Sequence, residues 1–294
     1  MEKIENKDNL NIELIKDFEI YLENKFKEPH KKCRHEKHVS YPDRFSVSDE
    51  QISWSTPYPE YNPSYFLHDD VINNDITICE NGWADPEDIT KINHKLKSLE
   101  GEIKFNELNQ PINPKGRTGI KGRGLLGKWG PNLAVDAVIT RINKDSGLLE
   151  VILIERSDNG EPAFPGGMVD GNELTKESRE RELEEECKLK MDLSNADEFF
   201  SGYIDDFRNT DNAWIEGVAG HLHLDEKNSE NVIPIGSDDA KTAKWVALDN
   251  KIIDRLTANI NLVALKMILK FYKKNTMPNS TKTQLEDIFK QYLK

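Results

Sequence analysis

Three glutamates in the middle of the chain, Glu182, Glu185 and Glu186, carry the spacing of a working site. On an α-helix they stand at i, i+3 and i+4 and share one face. Like charges so placed destabilise an isolated helix by about 0.2–0.5 kcal/mol per pair. Glu180 and Glu184 deepen the repulsion. A hard divalent cation offsets it. Mg2+ takes oxygen ligands, keeps several waters and bridges carboxylates to substrate phosphates; Mn2+ accepts the same donors. Arg181 stands at the edge of the face, where its fork can orient a carboxylate. A bare run of glutamates otherwise reads as a solvated acidic helix.

The flanking residues favour the metal reading. Gly166 and Gly167 permit a tight turn and close backbone approach just before the helix. Gly167, Glu173, Arg181, Glu182, Leu183, Glu185, Glu186 and Leu189 follow the pattern G-x5-E-x7-R-E-U-x-E-E-x-G-U, where U is bulky and aliphatic. Lys188 is the one departure, at the late glycine that helps end the helix. The segment resembles the box of the Nudix hydrolases. Further stretches, among them residues 111–142, AFPGGMVDG, GYIDDFRNTDNAWIE and SDDAKTAKWVALD, are similar to the eukaryotic ADP-ribose pyrophosphatase branch, shared with the ADP-ribose-binding domain of melastatin-type cation channels. VSYPDRFSVSDEQISW and GWADPEDI extend the similarity towards the N-terminus, so that it covers about residues 39–270.

The resemblance implies Mg2+-dependent hydrolysis of ADP-ribose to AMP and ribose 5-phosphate. It casts Glu182, Glu185 and Glu186 as metal ligands, with the Gly167 carbonyl as a further one. Glu173 then fixes the loop–helix turn, with Arg181 beside it. It also links Asp206, Arg208, Asn132 and Asn259 to substrate binding. Arg208 suits a bidentate phosphate contact or stacking on a base, against a plain salt bridge to Asp205 or Asp211. Relatives often carry Pro where this chain has Phe207, and an aromatic where it has Thr257. The general base is open among the box glutamates, Glu216, Asp238 and Asp239. Two rival readings are a non-hydrolysing ADP-ribose sensor and a hydrolase of another nucleoside diphosphate derivative. The intact Arg181–Glu182 pair opposes the first.

Other clusters read as structure. His30, Cys33, His35 and His38 offer four zinc-type ligands in nine residues, but lack the paired knuckles of structural zinc sites; they read as a solvated linker. GRGLLGKW resembles a phosphate-binding loop, yet Trp129 stands where Ser or Thr must bind the metal. Residues 115–132 therefore read as a Gly-rich basic linker, with contact to substrate phosphates as the alternative. Trp129, Trp214 and Trp245 read as core, His221 and His223 as structural, and Cys187 as a buried thiol.

The elements that must position the glutamates follow from periodicity. Residues 135–142 and 149–156 are β-rich runs joined by NKDSG, a hairpin signal. A charged helix spans about 173–190. Strands follow at 213–224 and 242–248, then helices at 258–273 and 281–293. Leu14, Ile15, Phe18, Tyr21, Leu22 and Phe26 predict an amphipathic helix over 10–27 that packs on its own domain. The fold class is α+β: a Nudix α/β/α sandwich with a mixed sheet, preceded by a smaller N-terminal domain. The expected division is 1–38 helix and linker, 39–128 small N-terminal domain, 129–275 Nudix domain and 276–294 C-terminal helix.

The 294 residues carry 40 basic and 53 acidic side chains, a net charge of −13. That balance opposes non-specific nucleic-acid binding and anionic membrane surfaces; the small-molecule substrate, ADP-ribose, is what the resemblance implies. Three widely spaced cysteines suggest no disulfide framework. The first 18 residues have no apolar core and no arginine, unlike a presequence. A cytoplasmic protein is expected; monomer and homodimer are both compatible with the sequence.

Overall fold

The computed structural model describes residues 2–171, 173–256 and 260–294, with residues 2–10 as backbone only. The chain opens with helix α1 (Glu2–Lys27) and a single turn, α2 (Lys32–His35). The N-terminal unit that follows is mostly irregular, as its Pro, Asn and aromatic content predicts. It contains β1 (Ser64–Leu67), α3 (Asp69–Asn73), β2 (Lys104–Phe105), β3 (Pro111–Ile112) and β4 (Ile120–Gly124). β1 pairs in parallel with β4, and β2 antiparallel with β3.

The main sheet is built from β5 (Gly130–Ile142), β6 (Leu149–Arg156), β7 (Pro162–Ala163) and β8 (Gly166–Met168). Helix α4 (Thr175–Cys187) intervenes before β9 (Asp197–Ile204) and β10 (Ala213–Leu224). The turn α5 (Glu226–Ser229), strand β11 (Ala240–Ala247) and helices α6 (Asn250–Arg255), α7 (Ile260–Lys274) and α8 (Asn279–Tyr292) complete the chain. The spatial order is β11-β6-β5-β10-β9, with β7 beside β6 and β8 beside β5. β5 and β10 run parallel while the other pairs are antiparallel, so the sheet is mixed.

Alternation along the strands makes the three layers. Ala137, Ile139, Ile152 and Ile154 pack with Leu183 and Cys187 of α4. Their neighbours Val138, Val151 and Leu153 point the other way, into a cluster with α7, α8 and Phe18 of α1. Each such side chain contributes about 1.5–3 kcal/mol when fully buried. Phe18 meets Phe289 of α8 with ring centroids 4.4 Å apart. The first and last helices thus close on each other over one face of the sheet.

Three expectations change. Strand β9 has no place in the predicted order. Its adjacent Phe199 and Phe200 are both buried, because the β9–β10 ladder shifts register at Ala219/Gly220; the shift erases the period of two that marks a strand. The stretch 28–38 is no solvated linker: His30 and Cys33 are buried. Asp205 accepts hydrogen bonds from the backbone N–H groups of Lys31 at 2.7 Å and Lys32 at 2.8 Å, and so anchors α2. Residues 115–132 are no loose linker either. Buried Arg117 donates to the carbonyls of Gln51 at 2.8 Å and Thr56 at 3.0 Å beneath Trp54 and Tyr61. Arg123 is fully buried against Trp129. These arginines hold the N-terminal unit together and are closed to substrate phosphates.

Candidate active site

The site begins at the β8–α4 connection. Gly166 and Gly167 pair with Asp136 and Val135 of β5, which presses this turn onto the sheet. The Gly166 N–H donates to Glu186 Oε2 at 2.9 Å. A Cβ on Gly167 would collide with the Glu182 carboxylate. Gly167 is therefore required by the close approach of Glu182 from α4, and Gly166 by the close approach of Val135 and Asp136 of β5. The helix starts with the Leu174 N–H donating to Glu177 Oε2 at 3.1 Å. It ends at Lys188, whose φ of 55° puts a lysine in the left-handed region that a glycine takes freely. The departure from the box does not move the helix end.

Arg181 organises the face. Its Nη1 donates to Glu182 Oε1 at 2.8 Å and Glu185 Oε2 at 3.0 Å. Its Nη2 donates to the Met168 carbonyl at 3.1 Å and, with Nε, to Glu173. Glu173 also accepts from Ser178 Oγ at 2.7 Å. Bonds from Arg181 and then Ser178 hold the Glu173 carboxyl below its usual range. The Arg181 charge is correspondingly reinforced, first by Glu173. Glu173 thus pins the turn through Arg181 and lies behind the three glutamates.

Burial raises the Glu182 carboxyl, against the opposing pull of Arg181. Burial likewise pushes Glu186 up to about 7, helped by the charges of Glu182 and Asp239. Among the described residues, no three His, Cys, Asp or Glu side chains converge on one point; the Arg181 guanidinium stands between Glu182 and Glu185. The donor chemistry nevertheless suits a hard cation. It is all oxygen, and two of the three carboxyls have their charge disfavoured by burial, which a bound cation offsets.

The other predicted residues divide. Asp206 and Arg208 pair with each other: Arg208 Nε donates to Asp206 Oδ1 at 2.8 Å and Nη2 to Oδ2 at 3.0 Å. The partner is neither Asp205 nor Asp211. Burial opposes the Asp206 charge, but Arg208 outweighs it and holds the carboxyl below its usual range. Both residues line a cleft of about 660 Å³ together with Arg156, His38, Phe207 and Leu256. His38 and Phe207 stack at 4.1 Å. Asn132 is 4% exposed, and its amide is spent on its own turn, at 2.9 Å from both the carbonyl and the N–H of Lys128. Asn259 and Thr257 lie outside the described residues. Glu216 drops out as a base: it is buried and holds Ser98 Oγ at 2.6 Å and Trp214 Nε1 at 2.7 Å.

Sequence reasoning missed two things. Arg156, at the end of β6, faces the cleft, and its charge acts on both Glu186 and Asp206. A cation at the last position of a central strand was the available signal. The 205–212 loop is also mainly a clasp. Buried Asp211 accepts from Tyr61 Oη at 2.6 Å and Thr118 N–H at 2.8 Å, and Asn212 from Gly122 N–H at 2.9 Å.

Comparison with known proteins agrees with this geometry. Residues 47–130 match the family described as NUDT9-like, N-terminal domain, and residues 130–262 match the NUDIX domain. A putative nudix hydrolase 6 of Caenorhabditis elegans is 37% identical over 243 residues, spanning 75% of this chain and 90% of that protein. The mitochondrial ADP-ribose pyrophosphatase of Rattus norvegicus is 32% identical over 249 residues, 71% of this chain and 69% of that one. The transient receptor potential cation channel subfamily M member-like 2 of Nematostella vectensis is 32% identical over 266 residues, 75% of this chain but 16% of the channel. The chain belongs to the Nudix hydrolase family, with a NUDT9-like N-terminal domain before the catalytic fold. Among the described residues, no helix is long and apolar enough to cross a membrane.

Proposed function

We propose that the protein hydrolyses the pyrophosphate bond of ADP-ribose, giving AMP and ribose 5-phosphate, with Mg2+ or Mn2+ as cofactor. The observation that carries this reading is the Arg181 clamp on Glu182 and Glu185, which together with Glu186, held by the Gly166 N–H, share one face of α4 beside the Gly167 backbone. The similarity to a protein named ADP-ribose pyrophosphatase supports the choice of substrate.

Glu182, Glu185 and Glu186, with the Gly167 carbonyl, would hold the cation, which when bound neutralises phosphate charge and makes water a better nucleophile. The chain supplies the remainder by positioning. Arg181 fixes Glu182 and Glu185, the Gly166 N–H fixes Glu186, and Glu173 fixes Arg181. The cleft lined by Arg156 and Arg208 suits an anionic, extended ligand. Arg208 spends Nε and Nη2 on Asp206, and Arg156 spends Nε and Nη2 on Asp158, which leaves each Nη1 without a hydrogen bond among the described residues. The stacked His38–Phe207 pair gives the same cleft a flat aromatic wall for a base. Asp238 and Asp239 are the candidate bases beyond the box, Asp239 being the one whose charge acts on Glu186.

Incubation of purified protein with ADP-ribose and MgCl2, followed by separation of products, tests the reading beside a Glu185→Gln/Glu186→Gln control. AMP formed by the wild type and lost in the control is the expected result. Calorimetric binding of ADP-ribose without AMP would make the protein a sensor, and neither would redirect the substrate to another nucleoside diphosphate.

A further inference from the structure

On the face of the sheet opposite α4, a groove of about 710 Å³ runs between the C-terminal half of α1, strand β9 and helix α7. Its size falls within the range of small-molecule sites. Its floor is Phe26 and Phe200, stacked at 5.8 Å, flanked by Leu22, Leu262 and Leu269. Lys266 reaches across it, with Nζ 5.6 Å from the Phe26 ring centre and 5.5 Å from that of Phe200.

Lys266 is half-buried, and among the described residues no carboxylate lies within 4.0 Å of its Nζ. The acidic side chains around the groove are engaged elsewhere. Glu28 pairs with Lys25 at 2.7 Å, Glu23 with Lys27 at 3.8 Å, Glu100 with Lys115 at 2.6 Å, and Glu19 with Lys273. Asp205 is occupied by the backbone of α2. The nearest lysine on its own helix, Lys270, has its own partner in Asp197 at 2.7 Å. A cation held over apolar surface without a counter-charge costs stability, and burial together with Lys270 lowers its pKa. The two ring faces attract the ammonium but supply no counter-charge, which an anion brought from outside, with an apolar body against the rings, would provide.

We propose that this groove is a second ligand site, for a small amphiphile with one anionic head on Lys266 and an apolar body on Phe26 and Phe200. It is separate from the carboxylate cluster, which belongs to the other face of the sheet, and it does not depend on the substrate assigned above.

Titration calorimetry of the full chain with decanoate and with 1-naphthoate tests it, the first probe standing for an aliphatic body and the second for an aromatic one. Saturable binding of either is expected. Lys266→Met, which keeps the apolar stem, should weaken it about tenfold or more, while Lys266→Arg should hold it within about threefold. The melting temperature of Lys266→Met should equal or exceed that of the wild type, which separates a lost contact from a lost fold; Lys266→Gln serves if the methionine variant does not fold. Equal affinity in wild type and Lys266→Met would overturn the proposal, as would no saturable heat with either probe.

Discussion

Arg181 Nη1 donates to Glu182 Oε1 at 2.8 Å although the two residues are neighbours in sequence on a helix. Adjacent helical positions normally point apart. Here Glu182 is pressed against the Gly167 backbone, and Arg181 is drawn to the same side by Glu173 and the Met168 carbonyl. The contact is made by the turn before the helix and not by the helix itself.

Arg181→Lys should therefore keep the charge and lose the fork. One ammonium cannot serve Glu173, Glu182, Glu185 and the Met168 carbonyl together. Activity on ADP-ribose should fall about 10–100-fold, as when a partner orienting metal ligands is removed, with KM changing less than kcat. Steady-state kinetics at saturating MgCl2 checks this; an unchanged kcat would count against a positioning role.

Gly167→Ala places a methyl group where the Glu182 carboxylate lies. The carboxylate must move, so catalysis should suffer far more than stability. A melting temperature within a few degrees of wild type, alongside a loss of activity of about 100-fold, is expected. A fully active alanine variant would mean that Glu182 works from another position.

Lys188 adopts left-handed backbone at the end of α4. Such a conformation costs a non-glycine residue about 1 kcal/mol. Lys188→Gly should raise the unfolding free energy by roughly that amount and leave kcat alone. Denaturant titration measures it, and a loss of stability would show that the lysine side chain compensates for its strain.

His30 is neutral in the fold: Nε2 donates to the Arg117 carbonyl at 3.1 Å, and Nδ1 accepts from Tyr203 Oη at 2.9 Å. Burial lowers its pKa to about 4. The unfolded chain binds this proton near pH 6.5 and the folded chain does not, so stability falls as pH drops from 6.5 towards 4. The contribution is on the order of 2–3 kcal/mol. His30→Gln cannot take up that proton and should flatten the corresponding part of the pH profile. Parallel slopes for the two proteins would exclude His30 as the source.

What was legible in the sequence was what a period or a motif can carry. The glutamate face, the Gly turn, the hairpin strands and the two C-terminal helices all depend on neighbours within one element. Strand β9 was illegible because its register shift puts two phenylalanines side by side in the core. Arg117 and Arg123 read as part of a Gly-rich basic linker, with phosphate contact as the alternative, because nothing local reveals that their partners are carbonyls and rings distant in sequence or hidden in a turn. Asn132 and Glu216 read as site residues for the same reason: a polar type names a capacity, and only packing decides what uses it.

The stacking of Phe18 on Phe289 sets a condition on how the chain is made. α1 is synthesised before α8, so it has no complete place to dock until α8 has been made. Until then its apolar stripe is open to solvent or to a chaperone. The sheet can assemble earlier, but its α7 face closes only when α8 arrives, which makes α8 a checkpoint on α1.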